Sequence, residues 1–469
     1  MKRALIAIFL LATTTASAGT VQVKDAAEVS AAAGKAKPGD VIVLKDGDWK
    51  DQVIHFKAGG TPDRPITLQA ESAGRVVLVG KSSVVLEGDC ITLSGIFLDH
   101  SAGDGDGIVV HGDHNRITDC AVVDGKYKFF VHLFGSDNRV DHCYLAGKRT
   151  EQPTFQIEVE EKRPDNDRVD HNHFGPRPPL GKNGGETMRV GYSYQSMFSS
   201  KALVEENLYD RCDGEIEIIS SKSCDNIYRH NTFLDCDGMF TLRHGNRCTV
   251  EGNFFIGHNK RGSGGIRVIG EDHVIVNNYM EGLTKGAFWI TGGMPNSPLN
   301  GYFRPQRCLI AFNTVADSKG PYVDLWAGMD SNRHAEIPLN ITFANNLFVL
   351  PKDQELMTGK EDPTNKWLGN IVSGAGKVKE HPGIGLKDVN LTRAESGILR
   401  PAKDSVVRGA AEGEFPNIKT DIDGQERTGK LDVGCDQQSE SPIKYRPLTA
   451  ADVGPSWMSA EQREKSVHE

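Results

Sequence analysis

Beyond residue 18 the sequence has no apolar run near the roughly 18 residues that a membrane-crossing helix needs, so a membrane partner is not expected. It also lacks a basic excess. Lys and Arg number 54 against 63 Asp and Glu, for a net charge of −9 in 469 residues. That balance weighs against holding a nucleic acid backbone. An acidic protein meets a polyanion through a local basic strip or a bound cation. The 51 glycines show no G-X-Y period, which excludes a collagen. The nine cysteines include no close C-x-x-C pair, which argues against a thiolate metal site. Nine is odd, so at least one is free or paired between chains, and one or two disulfides stay open. Cys212, Cys224, Cys236 and Cys248 recur every 12 residues and read as stacked, buried small hydrophobes.

The N-terminus is patterned as a leader. Lys2 and Arg3 precede the apolar run Ala4 to Ala12, and Ala16-Ser17-Ala18 matches a cleavage site. Residues 1–18 are therefore expected to be a signal peptide. No Cys follows to take a lipid anchor, so a periplasmic or secreted mature chain is expected.

The body of the chain repeats. A few β-formers, a polar pair, an Asn and two apolar residues recur with the Asn at 172, 207, 231, 253, 278, 313, 346 and 370. Cys120 and Cys143 take its place upstream. Most steps are 22 to 25 residues, and others carry insertions of about ten, which is a solenoid signature. The Leu-dense consensus of leucine-rich repeats is missing, and helical periodicity is scarce. A pair of β-sandwiches would leave the regular marker unexplained. The pattern predicts an all-β, single-stranded right-handed parallel β-helix with long loop insertions. The helix is expected over 19–375, with 376–469 as a C-terminal capping segment and tail. Asn at a fixed turn is expected to stack as a hydrogen-bond ladder and to take the left-handed bend.

Chemistry concentrates in Cys212-Asp213-Gly214-Glu215-Ile216-Glu217-Ile218-Ile219-Ser220-Ser221-Lys222. Strand alternation turns Glu215 and Glu217 outward together. Neighbouring carboxylates repel unless a cation lies between them, and their oxygens suit Ca²⁺. An ordinary solvated strand face is the bland alternative. Matching Cys212-Asp213-Gly214 to Cys236-Asp237-Gly238, a shift of 24, stacks Glu217 on Thr241 and Ile219 on Arg243. Glu215, Glu217, Lys222 and Arg243 then converge on one patch. Upstream, Asn183-Gly184-Gly185-Glu186 offers further oxygens, or is simply a Gly-rich turn.

These features resemble polysaccharide lyase family 6, which holds alginate lyases and chondroitinase B. The resemblance rests on Asn-Gly-Gly-Glu at 183–186, Glu-Ile-Glu at 215–217, Lys222 and Leu242-Arg243-His244-Gly245. It implies Ca²⁺ held by Asn183, Glu215 and Glu217, with Glu186 a further ligand. It implies Lys222 as base, Arg243 as acid or its electrostatic equivalent, and Arg189, His244 and Arg267 as substrate contacts. Rung alignment alone does not carry Arg267 cleanly onto the outward face.

The implied reaction is β-elimination on a uronate polymer by a monomer, with alginate the first expectation for substrate and dermatan sulfate the second. Three rivals differ in readable ways. A pectate lyase pairs an Arg base with an Asp-rich metal cluster. A β-helical glycoside hydrolase needs an acid–base carboxylate pair around water. A non-catalytic glycan-binding solenoid would release no product. Elsewhere, His132, His142, His171 and His173 read as surface or ladder positions in turns. Trp289, Trp326 and Trp367 read as packing or sugar-stacking residues.

Overall fold

The structure, a computed structural model, describes residues 18–330 and 333–467, so the expected leader lies outside the described residues except for Ala18. Each coil of the chain lays down three short strands, and each strand pairs in parallel with its counterpart in the coils above and below. Leu203–Glu205, Leu208–Asp210 and Glu217–Lys222 make one such coil. Repetition builds parallel sheets of 14, 14 and 12 strands. This is the right-handed parallel β-helix that the marker spacing predicts.

Two stacks explain why this sequence coils. The first is the asparagine ladder. From Asn172 to Asn370 each Nδ2 donates to the next marker's Oδ1 at 2.9–3.0 Å. From Asn172 to Asn313 each amide also satisfies backbone carbonyls of its own coil and the one below, as Asn231 does with Arg229 and Val204. A buried corner would otherwise strand these groups at a cost of about 1–3 kcal/mol each. Cys143 occupies the same corner and donates its backbone N–H to Asn172 Oδ1 at 2.9 Å. The left-handed bend, however, falls one residue earlier than the sequence suggests: φ is +54° at His171, +52° at Glu206, +54° at His230 and +54° at Phe312. The chain turns there so that the Asn itself can point inward. The second stack is aromatic. Phe174, Tyr209, Phe233 and Phe255 lie face to face at 4.7, 4.8 and 4.6 Å, one ring per coil.

One continuous apolar core runs from Val23 to Val372. The helix Ala26–Ala33 closes its N-terminal end with Val29 and Ala33. All nine cysteines are buried and free, so the alternative of disulfides is not realised. His142 and His171 stack at 5.1 Å as a ladder, but His132 and His173 sit on strands rather than turns. Trp367 packs on Phe343 near the C-terminal end of the core.

The C-terminal segment differs from a simple cap that trails off. Ile398, Ile422 and Cys435 pack on Phe254 and Tyr279, on the flank of the helix. The chain then runs back along the coils. Tyr445 stacks on His230 at 3.5 Å, and Trp457 leans on Phe97 and donates its indole N–H to Asp119. The helix Ala460–Ser466 buries Arg463 beside Tyr144. Aromatic and arginine anchors spaced along the tail make it a strap on the side of the solenoid. Among the described residues, no helix is long and apolar enough to cross a membrane.

Candidate functional site

The 12-stranded sheet presents an outward row in which Gln156, Arg189, Ser220, Thr241, Arg267 and Trp289 are successive register partners. Arg267 therefore does stand on the face that carries the site. Its register was obscured by two irregularities. In Glu217–Lys222 and Gly238–His244, Glu217 pairs with Met239 and Ser220 with Thr241, and the register slips between Glu217 and Ile219 and again between Ser221 and Lys222. The offset between coils falls from 24 at the turn to 21 along the strand, so Glu217 does not stack on Thr241, nor Ile219 on Arg243. Arg243 is the residue skipped between Leu242 and His244. The slip at Ile218 has the same effect on Glu217, which stays at the cleft while Ile218 and Ile219 both enter the core. Bulges of this kind re-aim side chains.

Close backbone approach supports the acidic half of the site. A Cβ on Gly185 would lie 2.3 Å from the Gly214 carbonyl oxygen, and one on Gly214 would lie 2.1 Å from that of Gly185. Glycine in both Asn-Gly-Gly-Glu and Asp-Gly-Glu thus lets the loop bearing Asn183 and Glu186 settle against Glu215. Beneath it, buried Arg177 donates to the carbonyls of Glu186, Gly184, Gln152 and Thr150 and fastens two loops together.

The charged groups alternate. Glu186 Oε1 is 3.7 Å from Arg189 Nη1 and 3.8 Å from Lys222 Nζ. Glu217 Oε1 is 3.5 Å from both Arg243 Nε and Arg267 Nη1. The Ser220 hydroxyl donates to the other Glu217 oxygen. Glu215 lies between these sets. Burial, together with Glu186 and Glu217, pushes its carboxyl up to about 8. Burial lowers the Lys222 ammonium, Glu217 and Glu186 oppose that, and Arg189 and Arg243 add to it. Burial with Arg243 and Lys222 pushes His244 down to about 2, so it is a neutral imidazole, within 3.2 Å of Ser193 Oγ.

The donor set fits a hard cation. Glu186 Oε2 and Glu215 Oε1 are buried without a hydrogen-bond partner, an unfavourable state for carboxylate oxygens that a divalent ion relieves. Asn183 is exposed on the adjoining loop. Among the described residues, the three carboxylates that close to within 4.8 Å of one another are elsewhere, at Asp421, Asp423 and Asp436. That cluster is neutralised by protein cations: Arg400 pairs with Asp423 and Asp436, and Arg408 with Asp436.

Other cleft residues escape sequence reasoning. Arg243 donates to the Gly301 carbonyl at 2.9 Å and lies 4.1 Å over the Tyr302 ring. Arg189 donates to Gln156 at 2.7 Å and lies 4.2 Å over Tyr192. His132, two positions before Arg189 in the row, is held between Asp106 and Glu158 at 2.7 and 2.9 Å. Tyr302 belongs to the insertion that stretches the repeat between Asn278 and Asn313, and that lengthened step is the only signal for it in the sequence. Trp289 stands beside Arg267 in the row, and Trp326 donates to the His334 carbonyl in the adjoining loops.

The site is thus a row of interleaved cations and carboxylates on one face of a parallel β-helix. The family model described as Chondroitinase B matches residues 23–413, and the chain belongs to polysaccharide lyase family 6. The structure of the family 6 alginate lyase AlyGC matches with a TM-score of 0.81 and 33% identity, over 94% of this chain and 59% of that one. This chain thus spans 59% of the length of AlyGC. A mannuronic acid specific family 6 lyase from human gut microbiota matches at 0.73 and 30% identity, over 79% of this chain and 91% of the other. The family 6 lyase Pedsa3628 from Pseudopedobacter saltans shares the fold at 0.73 and 23% identity, over 93% and 99%. No curated protein matches the sequence.

Proposed function

We propose that the chain is a calcium-dependent lyase that cleaves alginate by β-elimination. The observation carrying this reading is the buried carboxylate group with two unpartnered oxygens, flanked by Lys222 on one side and Arg243 on the other. Glu215, Glu217 and Glu186, with the Asn183 carbonyl, are the residues that would hold Ca²⁺. When bound, the ion neutralises the substrate carboxylate and favours charge build-up at the adjacent carbon.

Neutral Lys222 Nζ takes the proton from C5. The electron pair of the broken C5–H bond forms the C4=C5 double bond, and the C4–O bond breaks with its pair going to the leaving oxygen. Arg243, fixed by Gly301 and Tyr302, meets that oxygen as hydrogen-bond donor and acid or its electrostatic equivalent. A lysine normally near 10.4 must be neutral to act, and burial with its two arginine neighbours favours that form. Arg189 and Arg267 bind uronate carboxylates along the row, and His244 contributes a neutral hydrogen bond.

Alginate leads because two of the proteins matched at 30% identity or more are described as an alginate lyase and a mannuronic acid specific lyase. Dermatan sulfate is the second reading, favoured by the family model's own description. The leader pattern supports export as a secreted or periplasmic protein. The test is incubation with alginate, dermatan sulfate and polygalacturonate, with and without calcium, while ultraviolet absorbance is followed. Absorbing product from alginate in calcium alone supports the reading. Product from dermatan sulfate alone would reassign the substrate, and release without absorbance would make the chain a hydrolase.

A further inference from the structure

Two of the exposed large apolar side chains share one turn at the rim of the cleft: Tyr194, 64% exposed, and Met197, 39% exposed. The turn opens with a 3-10 helix, Ser193–Gln195, shortly after the site strand Met188–Val190, and continues through Met197. It is held at several points. The Gln195 side chain accepts the Tyr192 N–H at 2.8 Å and donates to Glu158 at 3.3 Å. Ser193 Oγ is within 3.2 Å of His244 Nε2, and Met197 Sδ receives the Asn246 amide. These contacts fix the turn to the strands that carry Arg189 and Arg243.

The aromatic geometry continues outward from the site. Arg189 lies 4.2 Å over the Tyr192 ring. Tyr192 is stacked with Tyr194 at 5.4 Å and 13°. Guanidinium, ring and ring form three layers from the cleft floor to solvent, and the outermost layer has nothing packed over most of its surface. A rigid, exposed tyrosine beside a polar cleft is the arrangement that takes the apolar C–H face of a pyranose, while the cations below take its carboxylates.

We propose that Tyr194, backed by Tyr192 and bordered by Met197, is a sugar-stacking subsite for a uronate unit distal to the bond that is broken. This rests on the lyase reading above and adds to it a chain-length preference. An oligomer long enough to lie over the Tyr194 ring gains from the stacking, and one too short to cover it does not.

The experiment compares wild type, Tyr194→Ala and Tyr194→Trp on purified uronate trimer, uronate hexamer and polymeric alginate. For Tyr194→Ala the expected result is a roughly fivefold fall in the hexamer-to-trimer ratio of kcat/KM, about 1 kcal/mol, seen as higher KM on hexamer and polymer. Tyr194→Trp is expected to keep or raise that ratio. A structural role for the ring would lower all substrates together. An unchanged ratio, or equal losses on trimer and hexamer, would overturn the subsite while leaving the lyase reading in place. A wild-type chain inactive on every uronate polymer would overturn both.

Discussion

Glu217 and Arg243 meet across the seam between two coils, with Glu217 Oε1 3.5 Å from Arg243 Nε, and the same oxygen is 3.5 Å from Arg267 Nη1. One carboxylate thus orients two guanidiniums. At 3.5 Å neither contact is a tight hydrogen bond, so the arginines keep donors for a substrate.

Arg243→Ala should lower kcat by about a hundred- to a thousandfold, the usual effect of removing a preorganised donor. Lys222→Ala should lower it by about a hundred- to ten-thousandfold. Both should keep the wild-type melting temperature within a few degrees, because neither side chain lies in the apolar core. Steady-state kinetics on alginate, with thermal melts of each variant, check this. Loss of the fold in either variant would contradict it.

Calcium should stabilise the wild type and not the carboxylate variants. An ion present at about 100 times its Kd adds about 2.7 kcal/mol, seen here as a rise of roughly 2–5 °C in Tm. In Glu215→Gln and Glu217→Gln the rise should largely vanish. Differential scanning calorimetry with calcium and with chelator measures this directly. A rise that survives in both variants would move the ion to another site.

The ladder should matter for stability and not for chemistry. Asn231→Ala removes amide contacts to Val204, Arg229 and Asn253 and strands buried partners. The expected loss is about 2–3 kcal/mol, from partners left unsatisfied. Chemical denaturation gives the figure, and kcat on alginate below the melting transition should stay near that of the wild type.

Asp165 provides a pH test away from the site. Burial pushes its carboxyl up to about 7, with Ser200 as its hydroxyl partner. The folded form holds the proton more tightly than the unfolded chain, whose Asp titrates near 3.9. Its contribution is complete below that value and is lost as pH rises through about 7. Stability relative to Asp165→Asn should therefore fall between about pH 4 and about pH 7 and then level off. Paired urea titrations across that range check the sign, and a difference that rises with pH would contradict it.

What the sequence disclosed followed from periodicity. Asn172 to Asn370 recur because each must bond the same corner of the next coil, so the fold was legible from their spacing. Glu215, Glu217 and Lys222 were legible because they share a segment whose neighbours are plainly core. Arg243 was placed on the correct face but in the wrong register, since a bulge leaves no mark in residue type. The same bulges hid Arg267. Tyr302 and Tyr192 were out of reach because their partners lie in other coils and only loop closure unites them. The strap was hidden for a similar reason: Tyr445, Trp457 and Arg463 dock on coils more than 200 residues away in sequence.

The most direct measurement is the ultraviolet absorbance of alginate incubated with the purified chain, in calcium, in chelator, and in calcium with Lys222→Ala. Steady growth of the unsaturated chromophore in the first, and none in the other two, is the expected result. Equal growth in chelator would remove the cation from the reaction, and equal growth with Lys222→Ala would remove that lysine as the base.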